Sequence, residues 1–331
     1  MSKITNFIGI DISKDTFDVF NPKKGHEKYS NDAKGFNSFL KTLTPDSWCV
    51  MEATGCYYYQ LALFLHERKI VLSVVNPVVI KRFIQMKLRK NKNDKADAKM
   101  IAQYAAEQEV FGWNPEPEYI ENCRAIFTTI ELYTRQLTGL KNKHHALTSR
   151  GVKLKLLFES VENQIKVVKE NIKVLEKEME SLVKQNDQSL LTNLSSIPGI
   201  GKKTAILLII STNGFKTFDN AKQVSCFFGL SPTERTSGTS IKGRSSISKA
   251  GNPLIRSHLF LCSFTAFSCN PACKSLYERI INKGKCKKVA LIAVANKLLK
   301  QGYGVSKNGL PFDSSFKSKF PQEIFAFKLS S

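Results

Sequence analysis

Residues 6–20 read NFIGIDISKDTFDVF, and this stretch decides the fold class. An apolar strand closes on the carboxylate Asp11, a short turn follows, and a second strand begins near Thr16. A third strand over Glu27–Ser30 predicts an antiparallel meander. Asp32 is placed to cap a helix with the apolar stripe Phe36, Phe39, Leu40 and Leu43, after which Trp48–Glu52 reads as a buried strand. A helix over 57–68, a β-branched strand over 70–75 and a helix opened by Pro77 complete a mixed α/β pattern. In such sheets ligands gather at the carboxyl ends of strands, where Asp11 and Glu52 both lie.

A second pair of acids opens the next helix, DKADAKMIAQYAAEQ. Asp94 and Asp97 are three apart, so they share a helical face with Ile101 and Tyr104 or Ala105, the side expected to meet the core. Taken alone, the pair also suits a capping box that complements the helix dipole. Asp11 and Glu52 shift the balance, because four converging carboxylates would repel and take up protons unless cations held them. An all-oxygen donor set suits Mg2+, and two ions about 4 Å apart stabilise the attacking and leaving oxygens of a phosphoryl transfer.

The remainder of the chain favours a polyanionic partner. Of 331 residues, 50 are Lys or Arg and 28 are Asp or Glu, a formal charge of +22 that draws nucleic acid. The 42% hydrophobic content fits a globular protein with proper cores, and no apolar run reaches the roughly 18 residues of a membrane span. The start lacks a signal peptide pattern, so a cytoplasmic, nucleoid-associated protein with no membrane partner is expected. Eight scattered cysteines read as small buried thiols in a reducing compartment, and Cys269 with Cys273 lacks the partners of a zinc site.

Three further segments carry binding chemistry. The run KLRKNKNDK over 87–95, with Lys90 and Lys92, is either a phosphate-contacting stretch or a solvated loop. The turn IPGIGKKTA over 197–205 resembles a helix-hairpin-helix element, with Gly199, Gly201, Lys202 and Lys203 placed to grip a backbone phosphate; a plain helix-helix turn is the alternative. Between Pro232 and Asn252, Arg235, Lys242, Arg244 and Lys249 alternate with hydroxyls and glycines in what composition predicts to be a flexible phosphate-contacting loop. A serine there is also a candidate nucleophile, though spacing does not say which one.

Apolar residues at Leu154, Phe158, Val161, Ile165, Val168, Ile172, Leu175, Met179 and Leu182 alternate by four and three. They predict a coiled coil, either a hairpin with a helix over 120–149 or an intermolecular pair. With prolines 115 and 117 as punctuation, the expected domains are an α/β nuclease domain over 1–114, a coiled-coil region over 115–188 and a mainly helical domain over 189–331. Helical patterns are read around 253–267 and 287–301.

The segments FIGIDISKDTFDV, MEATGCYY, VVNPVVIKRF, KNDKADAKMIAQY, LSSIPGIGKKTA, FFGLSPTERTSG and ISKAGNPLIR together resemble the transposases of the IS-one-ten (IS110) insertion-sequence family, DEDD recombinases directed by a bridge RNA. The resemblance runs from Ile8 to about Phe312. It implies a RuvC-like, ribonuclease-H-type domain, a coiled coil and a transposase domain with a catalytic serine. It puts the acidic tetrad on Asp11, Glu52, Asp94 and Asp97 and the serine on Ser237, with Ser240 nearby. It further implies transesterification through a phosphoserine on donor and target DNA, a guide RNA, and a dimer that assembles to a tetramer with composite sites. Guide pairing agrees with the lack of a base-reading module in so basic a chain. Two other readings remain: a junction-resolving nuclease that hydrolyses with the four acids alone, and a nucleic-acid-binding scaffold.

Overall fold

A computed structural model describes residues 6–87, 94–233, 236–237, 241–242 and 246–315. The chain forms two compact units, Met1–Pro115 and Glu116–Ser331.

In the first unit, β1 (Asn6–Ile12), β2 (Thr16–Asn21) and β3 (Gly25–Ser30) form the antiparallel meander. The third strand starts two residues earlier than its side chains suggest, because Gly25, at φ +91°, pairs with Asn21 and closes the turn. After α1 (Ala33–Leu40), capped by Asp32 accepting from the Gly35 amide at 2.8 Å, the strand β4 (Ser47–Glu52) lies parallel to β1. The helix α2 (Tyr58–Glu67) leads to β5 (Val71–Val75), parallel to β4. Asn76 caps α3 (Pro77–Met86) at the Val78 amide, with Pro77 in the first turn, where its missing N–H costs nothing. The unit ends with α4 (Asp94–Glu107).

The strand order is β3-β2-β1-β4-β5. Alternation sorts the side chains by face. Ile8, Ile10, Ile12, Phe17, Val19, Cys49 and Met51 pack with Phe36 and Phe39 of α1 and Leu61 and Leu65 of α2. Val50 faces the other way, against Ile80 of α3 and Ile101 and Ala105 of α4.

The second unit begins with α5 (Glu118–Ser149) and α6 (Lys155–Ser195). The Cys123 thiol meets the Met179 carbonyl and His144 pairs with Glu162, so the two helices run antiparallel as a hairpin within one chain. Val161, Val168 and Met179 of the heptad are buried. Leu154 is not part of the seam: it precedes the helix as its N-cap residue and is 61% exposed, because the chain is still reversing from Gly151, at φ +67°. Within α6 the backbone breaks at Asp187, which accepts a hydrogen bond from the Tyr119 hydroxyl.

The helix α7 (Lys202–Thr212) is apolar on all sides and buried from Thr204 to Ile210, the pattern of a helix surrounded by others. It is followed by α8 (Ala221–Phe227) and, where composition predicts a flexible loop, by paired short strands. These are β6 (Pro232–Thr233), β7 (Thr236–Ser237), β8 (Ile241–Lys242) and β9 (Ser246–Ile247), with β6 against β9 and β7 against β8. Then come α9 (Pro253–Cys269), α10 (Pro271–Asn282) and α11 (Lys287–Asn308). The helical patterns read from the sequence, around 253–267 and 287–301, leave out α10, which Asn270 caps and Pro271 opens. The base of the α5–α6 hairpin shares one core with these helices, from Ile120 and Met179 through Leu207 to Leu298.

All eight cysteines are free, and Cys56, Cys226, Cys269 and Cys286 are exposed, which corrects the expectation of buried thiols throughout. Burial pushes the Cys49 thiol up to about 12.

Candidate active site

The acidic face of the first unit is built by register. Ile10 pairs with Met51 across the parallel β1/β4 ladder, so Asp11 and Glu52 follow at the same level, on strands about 4.8 Å apart and on the same face. Both are half-buried, and both point away from the Ile10 and Met51 core, toward the side that α4 covers.

Gly9 sets the height of that cover. A Cβ at position 9 would stand 2.1 Å from the Ala98 carbonyl oxygen and 2.4 Å from the Ala102 amide nitrogen; only glycine lets the helix backbone rest on the strand. Asp97, half-buried, precedes Ala98 directly and lies one turn before Ile101. The helix thereby lies over the face of β1 that carries Asp11, which follows Gly9 by two strand residues, about 7 Å along the strand. Asp94 is the first residue of the same helix; its side chain lies outside the described residues.

Sequence reasoning missed a fifth acid. Asp18 sits directly across from Asp11 in the antiparallel ladder and is 5% exposed. It bonds His26 Nε2 at 2.7 Å and faces Lys28 Nζ at 3.4 Å, so this buried charge is balanced. The signal was an acid at the centre of the apolar strand TFDVF. At the far end of α4, Lys87 Nζ lies 2.6 Å from Glu107, and Lys87, followed by Gln103, holds that carboxyl below the usual carboxylate range.

Among the described residues no group of three or more His, Cys, Asp and Glu side chains is already arranged around a metal position. By donor chemistry the half-buried carboxylates Asp11, Glu52 and Asp97 suit a hard divalent cation rather than a soft one.

In the second unit, Thr236–Ser237 pairs with Ile241–Lys242; the side chains of Ser237 and Lys242 lie outside the described residues, as do Lys90, Lys92, Arg235, Ser240 and Arg244. Lys249 is exposed and in the left-handed region at φ +57°. In the glycine turn, Gly199, at φ +103°, lets the chain rest on α9, where an added Cβ would meet the Ala266 Cβ at 2.5 Å. Gly201 precedes α7 as its N-cap residue. Lys202 Nζ lies 3.0 Å from Glu180 and Lys203 Nζ 2.5 Å from Glu176, so both cations lean on α6 while remaining half-exposed. No helix among the described residues is long and apolar enough to cross a membrane.

Comparison with known proteins covers both units. Residues 8–150 match a DEDD-type IS110 family described as "Transposase", and residues 191–278 match the "Transposase IS116/IS110/IS902 family". Pilin gene-inverting proteins of Moraxella bovis and Moraxella lacunata are each 30% identical to the chain over 327 residues, covering 95% of it and 98% of each relative. The transposase for insertion sequence element IS1111A of Coxiella burnetii is 24% identical over 286 residues, 78% of this chain and 76% of that one.

Proposed function

The chain belongs to the IS116/IS110/IS902 transposase family and is a DNA transposase/recombinase, and from that premise we propose that it cuts and rejoins DNA with Asp11, Glu52, Asp94 and Asp97 as metal ligands and Ser237 as nucleophile, guided by RNA. The family is typically metal-dependent. Mg2+, two ions per site, when bound keeps clustered carboxylates ionised and stabilises the attacking and leaving oxygens of phosphoryl transfer. The observation that carries the reading is the register that sets Asp11 beside Glu52 beneath the helix bearing Asp94 and Asp97, in a domain we assign to the RuvC-like class.

The chain's own groups act in two balanced steps. Ser237 Oγ bonds to the scissile phosphorus as the bond to the bridging DNA oxygen breaks; the serine proton passes to solvent and the released DNA hydroxyl takes one up. The hydroxyl of a partner DNA end then attacks the phosphoserine, and Ser237 leaves with its proton restored. Phosphodiester bonds are conserved, so rejoining needs no external energy source. Inversion, named for the Moraxella relatives, and transposition, named for the Coxiella one, are two arrangements of this exchange.

The cationic groups, Lys90, Lys92, Lys202, Lys203, Arg235, Lys242, Arg244 and Lys249 with the amides of Gly199 and Gly201, hold RNA and DNA backbones while base pairing supplies sequence choice. Donor and target DNA are bound by a dimer that assembles to a tetramer, with acids and serine supplied by different subunits. The test is to trap the full-length protein, with its co-purified RNA and Mg2+, on DNA spanning the element's ends and to map the modified side chain by mass spectrometry. An adduct at Ser237 that Ser237→Ala abolishes is expected. Strand cleavage retained by Ser237→Ala, without adduct, would replace the proposal by hydrolysis at the acids alone.

A further inference from the structure

The strands that carry Ser237 stand on a stem whose two legs are stapled together. The outgoing leg, Phe228 to Thr233, ends in β6, and the returning leg, Ser246 to Gly251, begins in β9. The legs approach so closely that an added Cβ at Gly229 would stand 2.0 Å from the Ala250 carbonyl oxygen, and one at Gly251 would stand 2.0 Å from that of Phe227. Backbone bonds cross between them, from the Lys249 amide to the Gly229 carbonyl at 3.2 Å and from the Ser248 amide to the Ser231 carbonyl at 3.0 Å. The Thr233 hydroxyl donates to the Ser246 carbonyl at 2.9 Å.

One cation closes the base. Arg256, in the first turns of α9, donates from Nη1 to the carbonyls of Phe228 at 3.2 Å, Ala250 at 2.9 Å and Gly251 at 3.1 Å. It therefore touches both legs from a helix rooted in the core through Ile255 and Leu259. Nothing in the phosphate-binding reading uses this arginine: its guanidinium is turned to the chain's own carbonyls. The outgoing leg has a second tether, because Asn296 of α11 accepts from the Ser225 hydroxyl at 2.7 Å and its amide reaches the Leu230 carbonyl at 3.5 Å.

We infer that Arg256 is a positioning residue for DNA cleavage, which fixes the stem of the serine-bearing strands on α9 and so sets where Ser237 meets the scissile phosphate. This rests on Ser237 being the nucleophile. The three carbonyls converge on one guanidinium nitrogen, Nη1, and share its two hydrogens; a lysine ammonium, on a stem of different length and shape, copies that placement only in part. Displacing a nucleophile by about 1 Å costs on the order of 100-fold in rate.

The test compares wild type, Arg256→Met and Arg256→Lys as full-length proteins, each with co-purified RNA and Mg2+, on the same trapped DNA. Measured are the rate of Ser237 adduct formation at saturating DNA, the DNA dissociation constant and the thermal unfolding midpoint. Expected are a rate about 100-fold lower in Arg256→Met, partial recovery in Arg256→Lys, and an unchanged dissociation constant in both. Where Arg256→Met does not fold, Arg256→Lys alone decides, by a slowed rate with unchanged affinity. Wild-type adduct rates in the variants, or affinity falling in step with rate, would overturn the inference while leaving Ser237 in place. Wild-type protein trapped through a different side chain would overturn the serine reading itself, and this inference with it.

Discussion

Replacing Gly9 by alanine tests the geometry of the acidic face without touching an acid. The new methyl would stand 2.1 Å from the Ala98 oxygen and 2.4 Å from the Ala102 nitrogen. Both are backbone atoms of α4, and neither can rotate aside. Restoring a carbon–oxygen contact of about 3.3 Å requires the helix and strand to separate by roughly 1 Å. That loosens Ile101 and Ala105 from Val50 and Ile80, for which an overpacking cost of about 1–3 kcal/mol is expected. It also carries Asp97 away from Asp11, which should slow DNA cleavage at saturating substrate about 100-fold. Urea denaturation followed by circular dichroism measures the first effect, and single-turnover strand cleavage across a Mg2+ titration the second. Gly139→Ala on α5 is the control, since an added Cβ there meets nothing within 4 Å, and a helical alanine should stabilise by about 1 kcal/mol. Gly9→Ala with wild-type stability would refute the close approach. Lost stability with undiminished cleavage would refute the link from α4 to the acids.

Three further outcomes are expected. Glu52→Gln and Asp97→Asn keep shape but remove charge; cleavage should fall about 1000-fold or more, several kcal/mol of lost charge stabilisation, while filter binding shows DNA affinity retained, and cleavage at wild-type rates would remove these residues from the site. In the helical hairpin, Met179→Ala, at a 2% exposed position, should cost about 2–5 kcal/mol, whereas Val174→Ala, at a 56% exposed one, should stay within about 0.5 kcal/mol; equal losses in chemical denaturation would contradict the hairpin register. Burial first, then the nearby Lys203 charge, hold the His258 imidazole below its ordinary 6.5, so the unfolded chain binds the proton more readily. Stability should therefore fall as pH drops through 6.5 and level off below the folded-state value; His258→Gln should flatten that slope, and an unaltered slope would count against the half-buried imidazole as its source.

Much of the first unit is legible from local signals. Alternation in FIGIDI and WCVME, the Asp32 and Asn76 caps and Pro77 each act within a few residues, so strands, helices and acids at strand ends follow from short windows of sequence. Gly9 and Asp18 were visible but uninterpreted, a glycine and a carboxylate in the middle of apolar strands. Their meaning depends on α4, some ninety residues on, and on the neighbouring strand β3. The hydroxyl-rich segment after Gly229 reads as a loop because its organisation comes from two glycine contacts and Arg256, none of which has a periodic signature.

By itself the sequence determined the element types of the first unit, the basic charge, the position of the acids at strand and helix ends and most of the heptad seam, because propensity, capping and periodicity are short-range properties written residue by residue. Only the tertiary structure decided that the seam closes within one chain, that Asp11 and Glu52 share a level and a face, and that Asp18 lies beside them. Strand register and backbone-to-backbone approach are set by contacts between segments distant along the chain, and no local pattern encodes them.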